Sequence, residues 1–460
     1  MFCGNEKPGN ATEFLAEFVS ETIHLLNNGL VIESVTYSVT IHCFCMDAPA
    51  RAFVKGIKCH SGYASCEKCT VHGEYAGKVI FPATDALLRS DQSFNEMTDE
   101  DHHKELCPLN PLPVGFVTQF GLDYMHLACL GVMRRLILYW KGPVGPLSVR
   151  LGRKLISVLS TKLLQLRPFI PVEFARKPRS VDEVLRWKAT EFREFMLYSG
   201  PFVLNGILPT DLYDHFMLLF TSMRLLVSKE LASHTESCDY AKGLLLKFVL
   251  DAQFLYGKEI LVYNVHNLVH LADEVKRLGC LEDFSCFVFE NKLGQLKKLI
   301  RKPQYPLQQI LRRLSECHSF DTNIAATSAS NSVDTQVKSE HWSGPVTPGF
   351  LNARQFKRVK TNKYDFDLSA GNNCIMLHGG VPARIKNILK IANDVSLICA
   401  NFEFVSDAFT YPLPSSKLGI CKVKSESTDL FAVSLSEIRS KCVCWPLNDD
   451  DSFAVIPLLH

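Results

Sequence analysis

Residues 59–72 read Cys59-His60-x5-Cys66-x2-Cys69-x2-His72, the densest run of soft metal ligands in the chain. A Cys-x2-Cys pair with a further cysteine and histidine within a dozen residues supplies the four donors of a tetrahedral zinc ion. Gly62 and Gly73 permit the tight turns of a knuckle. The most economical ligand set is Cys59, Cys66, Cys69 and His72, with His60 as a substitute. Such a Zn2+ site is structural, because four protein ligands leave no position open to water. The other reading is a pair of buried thiols in a cysteine-rich chain.

Carboxylates and histidines supply the second group of candidates. Asp47 ends an alternating segment at Asp47-Ala48-Pro49, and open α/β sheets place their chemistry at the carboxyl tips of strands. Many such aspartates only cap the next helix. Asp123-x2-His126 opens a helical pattern and places both side chains on one face, where they can hold a metal, orient a phosphate, or serve as a cap and a packed imidazole. His266 and His270 share a face at i, i+4, but no glutamate follows His266, so this is not the metalloprotease HExxH arrangement, and core packing is their default. Glu290 heads a basic stretch carrying Lys292, Lys297, Lys298, Arg301, Lys302, Arg312 and Arg313. One acid before so many bases fits either a site that meets a polyanion or a solvated helix with its glutamate at the favourable end. A second basic cluster runs from Arg354 to Lys363.

The elements that must position these groups follow from periodicity. Thr12 to Asn27 has helical spacing with Thr12 or Asn10 as cap, and Val35 to Met46 alternates as a strand. From Gly121 to about Gly279 apolar residues recur with helical period, punctuated at Gly142-Pro143 and Gly200-Pro201. Residues 320–345 are rich in Ser, Thr, Asn and Ala without a period, as in a linker. Short alternating runs beyond 350 predict a small β domain. The expected organisation is an α/β domain with the knuckle over 1–115 and an all-α insertion over 116–280. A last core helix over 281–319, the linker, and a β-rich domain over 346–460 follow.

Composition bounds the function. The 460 residues are 47% hydrophobic and 21% charged, enough for a buried core and too apolar for a disordered or fibrous chain. Fifty basic against 48 acidic side chains give a net charge of +2, which excludes binding by bulk charge but not by local patches. Seventeen scattered cysteines behind a polar N-terminus point to a reducing compartment. No run reaches the ~18 apolar residues of a membrane span.

Four blocks, taken in order, resemble a known family. They are DAPARAFVKGIKCHSGYASCEKC (47–69), GLDYMHLACLGVMRRL (121–136), YNVHNLVHLADEV (263–275) and FENKLGQLKKLIRKP (289–303). Together they are similar to the transposase domains of CACTA (EnSpm)-type DNA transposons of the animal branch, over about residues 1–315. The resemblance implies an RNase H-like DDE/D α/β core interrupted by the helical insertion. Three carboxylates of that core would hold two Mg2+ (or Mn2+) ions for an in-line displacement on DNA. It makes Asp47 the second carboxylate and Glu290 the last, with Glu274 in reserve, and Asp123 and His126 the motif between them. The family's first aspartate lies on a strand upstream of FCGNEKP, where this chain begins, and neither Glu6, Glu13 nor Glu17 substitutes for it. The expectation is therefore an N-terminally truncated, transposase-derived nuclear protein. It binds DNA through residues that include Lys297, Lys298, Arg301 and Lys302, has an incomplete catalytic site, and self-associates. The alternative is a non-catalytic, zinc-stabilised DNA- or protein-binding module.

Overall fold

A computed structural model describes residues 8–142, 144–325, 335–392, 394–447 and 451–459. Residues 326–334 of the expected linker lie outside that set. Contacts divide the chain into two units, Met1–Gly131 with Lys258–Asn331, and Val132–Gly257 with Ser332–His460.

The first unit opens with the helix Ala11–Asn28. Its cap is Asn10, whose Oδ1 accepts from the Thr12 and Glu13 N–H groups, and Gly29 (φ 73°) stops it. Leu30–Ile32 (β1) and Val35–Tyr37 (β2) form an exposed antiparallel hairpin. The chain pairs again at Phe44–Met46 (β3). Glu74–Tyr75 (β4) and Val79–Ile80 (β5) make a second small hairpin. Phe120–Leu122 (β6) lies parallel to β3, with Phe44 opposite Phe120 and Met46 opposite Leu122.

This overturns the expected RNase H-like core. Among the described residues the unit holds three two-stranded sheets and no broad central one. Alternation from Val35 to Met46 correctly signals extended backbone, but a sheet needs neighbours. Between Tyr37 and Phe44 the carbonyls of Ile41 and His42 are met by the Gln119 side chain instead of a strand. The core is mostly helical and loop-built: Phe44, Ala52, Ile57, Phe94, Leu109, Phe116 and Phe120 form one apolar cluster.

In the second unit, the helices Thr210–Val227 and Thr235–Tyr256 pack on each other. Its β part comprises Gln336–His341 (β7), Arg354–Lys360 (β8), Asp365–Asp367 (β9), Cys374–Leu377 (β10), Pro382–Ile391 (β11), Asp394–Ser406 (β12), Cys421–Ser434 (β13), Ile438–Pro446 (β14) and Ser452–Pro457 (β15). The order β10-β14-β15-β13-β12-β11 closes through β10–β11 pairing into a six-stranded antiparallel barrel. Closure removes the free edges of those six strands. Beyond β11 the sheet continues through β8 to β7, and β9 pairs with β8. The helix Pro306–Ala325 and β7 both reach into the stretch expected as linker.

Candidate metal centre

Helix Ala48–Lys55 ends at Gly56, whose left-handed φ of 66° and position against the Glu105 carbonyl both require glycine. The chain then winds through 57–73 and presents Cys66 and Cys69 inward. Arg89 fixes this turn, its Nε donating to the carbonyls of both Cys66 (3.0 Å) and Cys69 (3.1 Å). Opposite, the helical run beginning at Tyr263 places His266 and His270 one turn apart. Cys66, Cys69, His266 and His270 are all buried, and their ligand atoms lie within 4.8 Å of one another.

The individual separations fit a metal. Cys66 Sγ to Cys69 Sγ is 3.6 Å, Cys69 Sγ to His266 Nε2 3.3 Å, and Cys66 Sγ to His270 Nε2 3.6 Å. Zinc bonds of about 2.3 Å to sulfur and 2.0–2.1 Å to nitrogen give tetrahedral edges of roughly 3.3–3.8 Å. Two thiols and two imidazoles are the donor set of a closed structural site, so the cluster can hold a metal ion and is compatible with structural zinc. The Cys66 hydrogen bond holds the Cys69 thiol below its ordinary value against the effect of burial.

The ligand set differs from the one expected from sequence. Cys59 Sγ sits 3.1 Å from His60 Nδ1, near the surface. His72 stacks on Tyr63 and its Nδ1 meets the Gly73 carbonyl. Neither joins the cluster, nor does His60. The missing pair, His266 and His270, carried one signal in the sequence, their shared helix face. Nothing local to residues 59–72 could point to partners about two hundred positions away.

Charged residues between the two cysteines tie the turn into the unit. Glu67 is buried and paired with Arg51 (2.9 Å) and Lys55 (3.0 Å), and it accepts a hydrogen bond from Tyr263 Oη. Lys68 is buried against Glu274 (3.0 Å) and donates to the Val117 and Phe120 carbonyls. Burial would raise the Glu67 carboxyl, but the two cations hold it well below the usual range. The reserve carboxylate Glu274 is thus committed to Lys68 and Arg277.

A second cluster lies at the carboxyl ends of β3 and β6, where Asp47 follows Met46 and Asp123 follows Leu122. Asp47 caps the helix behind it, accepting from the Ala50 N–H at 2.8 Å. Asp123 is buried, and both its oxygens are taken: Oδ1 by the N–H groups of Cys286 (2.8 Å) and Met125, Oδ2 by the His126 N–H and by His126 Nδ1 at 2.5 Å. Burial opposes ionisation of Asp123, yet these donors keep its carboxyl below the ordinary value. The same hydrogen bond raises His126, and Asp47 and Glu290 add to that. His126 Nε2 faces Glu290 Oε1 at 3.6 Å. The wide π-helical turn Met125–Met133 carries His126, and Gly131 leaves room there for Asn264.

The structure therefore brings Asp47, Asp123, His126 and Glu290 together from three distant segments. Asp123, His126 and Cys286 form a mixed oxygen–nitrogen–sulfur group. Mg2+ and Mn2+ favour oxygen donors, and among the described residues no clustering of carboxylates alone supports the site expected for them. Lys297, Lys298, Arg301 and Lys302 are all exposed, on and just after the helix Phe287–Lys298, which buries none of its residues.

Residues 340–458, spanning most of the β part, match a family described as "Domain of unknown function (DUF8592)". No curated protein and no solved structure matches the chain. Among the described residues no helix is long and apolar enough to cross a membrane.

Proposed function

We propose that the chain is a transposase-derived DNA-binding protein, its first unit held by one structural Zn2+ at Cys66, Cys69, His266 and His270, and that it binds DNA without cutting it. One observation carries the DNA reading. Glu290, at the head of the helix Phe287–Lys298, faces His126 beside Asp47 and Asp123, while the end of that helix presents Lys297 and Lys298 to solvent, followed by Arg301 and Lys302. A cation-rich helix leading from a polar cluster suits a phosphate backbone. Nuclear localisation follows from this reading.

Binding without cleavage is favoured because the buried carboxylate of the group, Asp123, is already satisfied by the chain. Asp123 accepts four hydrogen bonds, Asp47 caps a helix, and His126 stands between Asp123 and Glu290. A two-metal site needs carboxylate oxygens free to bridge two ions.

The test titrates the full chain into a fluorescein-labelled DNA duplex and follows anisotropy between 50 and 200 mM salt, with parallel nicking assays in Mg2+ and Mn2+. The expected result is salt-sensitive binding, retained by Asp47→Asn and Glu290→Gln, with no nicked product. Absence of binding at low salt overturns the DNA reading. Nicking that disappears in either carboxylate variant overturns the non-catalytic one.

A further inference from the structure

Cys43 and Cys45 flank Phe44 where the chain enters β3. Residues at i and i+2 of an extended segment share a face, and here the two Sγ atoms stand 3.8 Å apart. Cysteine serving only as a small apolar side chain is among the most buried of residues. Cys66 and Cys69 are buried, and so are Cys374, Cys442 and Cys444 of the β part. Cys43 and Cys45 are only half-buried, so they combine mutual contact with access from solvent.

The backbone around the pair is fixed on both sides. Phe44 is buried, its ring stacks on Phe120 at 4.6 Å, and its N–H donates to the Gln119 carbonyl at 2.7 Å. Cys45 stands opposite Gly121 of β6. Upstream, Gln119 Nε2 donates to the Ile41 carbonyl at 2.6 Å, and His42 Nε2 donates to the Leu278 carbonyl at 3.0 Å. All these anchors belong to the first unit. A chelating pair held in this way is ordered before its ligand arrives, so little conformational freedom is left to lose on binding.

The donors choose the ligand. Thiolates are soft and select Cu+, Zn2+ and iron–sulfur clusters over cations that favour oxygen. A structural Zn2+ takes four donors, and iron–sulfur clusters draw on four cysteines. Among the described residues no third cysteine, histidine or carboxylate joins both thiols within the 4.8 Å that the Cys66, Cys69, His266 and His270 cluster meets. Cu+ is the ion of this soft set that is content with so few protein donors. At a metal–sulfur bond of about 2.3 Å, the 3.8 Å separation corresponds to an S–metal–S angle of about 110°. That angle leaves the ion open to a further donor from solvent.

We propose that Cys43 and Cys45 form a copper site, taking one Cu+ between their two thiolates. Binding exchanges each S–H bond for a Cu–S bond and releases both protons to water, with no change in the oxidation state of the ion. The open position makes the ion exchangeable with a soluble thiol. The site requires neither the zinc cluster nor the DNA reading.

The experiment titrates the full, zinc-loaded chain under argon into the Cu+ complex of bathocuproine disulfonate and follows loss of that complex's colour, with zinc measured in the same samples. Withdrawal of one Cu+ per chain without release of zinc is expected. Cys43→Ser and Cys45→Ser each weaken binding by about a hundredfold or more, because a single thiolate loses the effective concentration of its neighbour. Cys59→Ser and Cys317→Ser leave it unchanged, and all four variants keep the parent melting temperature. In a measurement that needs no variant, Cu+ protects Cys43 and Cys45 of the parent chain from iodoacetamide, read by peptide mass spectrometry. Three results overturn the proposal: no Cu+ withdrawn at equimolar protein, affinity unchanged in both Cys43→Ser and Cys45→Ser, or copper uptake matched by zinc release, which places the ion at Cys66 and Cys69. Alkylation of Cys43 and Cys45 at the same rate with and without Cu+ also overturns it.

Discussion

Cys69 Sγ lies 3.3 Å from His266 Nε2, although 197 positions separate the two residues in the chain. That contact joins the turn after the first helices to the run beginning at Tyr263, and the buried Lys68–Glu274 pair repeats the same connection a few residues away. The cysteine–histidine cluster and the ion pair are therefore one fastening.

The full chain should carry one zinc per molecule by elemental analysis. Cys69→Ser and His266→Ala should lose it and melt at a clearly lower temperature, since structural zinc contributes on the order of 10 kcal/mol in small domains. Cys59→Ser and His72→Ala should keep both metal and stability. Zinc lost in these last two variants would restore the ligand set read from residues 59–72.

Glu67→Gln should destabilise by about 3–5 kcal/mol in urea unfolding, because it leaves Arg51 and Lys55 buried with one carboxylate fewer. Replacing Arg51, Lys55 and Glu67 together with apolar residues of similar volume should cost far less. Equal losses in the two variants would show that packing, and not charge, dominates there.

Glu194 is buried, its Oε2 held by Ser199 at 3.0 Å and its Oε1 unpartnered among the described residues. Burial pushes its carboxyl up to about 8. The folded state thus keeps a proton that the unfolded chain releases near its ordinary value of 4.5. Its contribution is complete below about pH 4.5 and is lost as pH rises toward 8, at up to about 1.4 kcal/mol per pH unit. Glu194→Gln should flatten this alkaline loss between pH 5 and 8 in thermal unfolding. A parallel loss in both proteins would rule the assignment out.

If Lys297, Lys298, Arg301 and Lys302 contact phosphates, each should contribute about 0.9 to the slope of log affinity against log salt. Replacing all four with alanine should reduce that slope by roughly 3–4 and weaken binding evenly across DNA sequences. A slope unchanged in the quadruple variant would place the DNA surface elsewhere.

Periodicity made several elements legible. The helix after Asn10, the helices between Thr210 and Tyr256, and the alternating strands beyond 350 all declare themselves through spacing that depends on local geometry alone. Two things were not legible for one common reason. Val35–Met46 alternates like a strand of a broad sheet, but alternation cannot report whether neighbours exist to pair with it. Cys66 and Cys69 announce a metal site, but Cys59 and His72 were favoured as companions because they are near in sequence. His266 and His270 are near only in space. The convergence of Asp47, Asp123, His126 and Glu290 was anticipated through a resemblance of blocks, not through any pattern in their spacing.

A metal held by Cys66, Cys69, His266 and His270 would also impose an order on synthesis. Cys66 and Cys69 leave the ribosome long before His266, and residues 132–257 of the second unit are made in the interval. The nascent chain must therefore carry two bare thiols through the translation of an entire helical segment. Closing so long a loop has a modest extra entropic cost, because that cost grows only with the logarithm of length. The hazard is chemical, since unprotected thiols can oxidise or capture the wrong metal while they wait. The first unit is thus completed only after residues 132–257 of the second have been made.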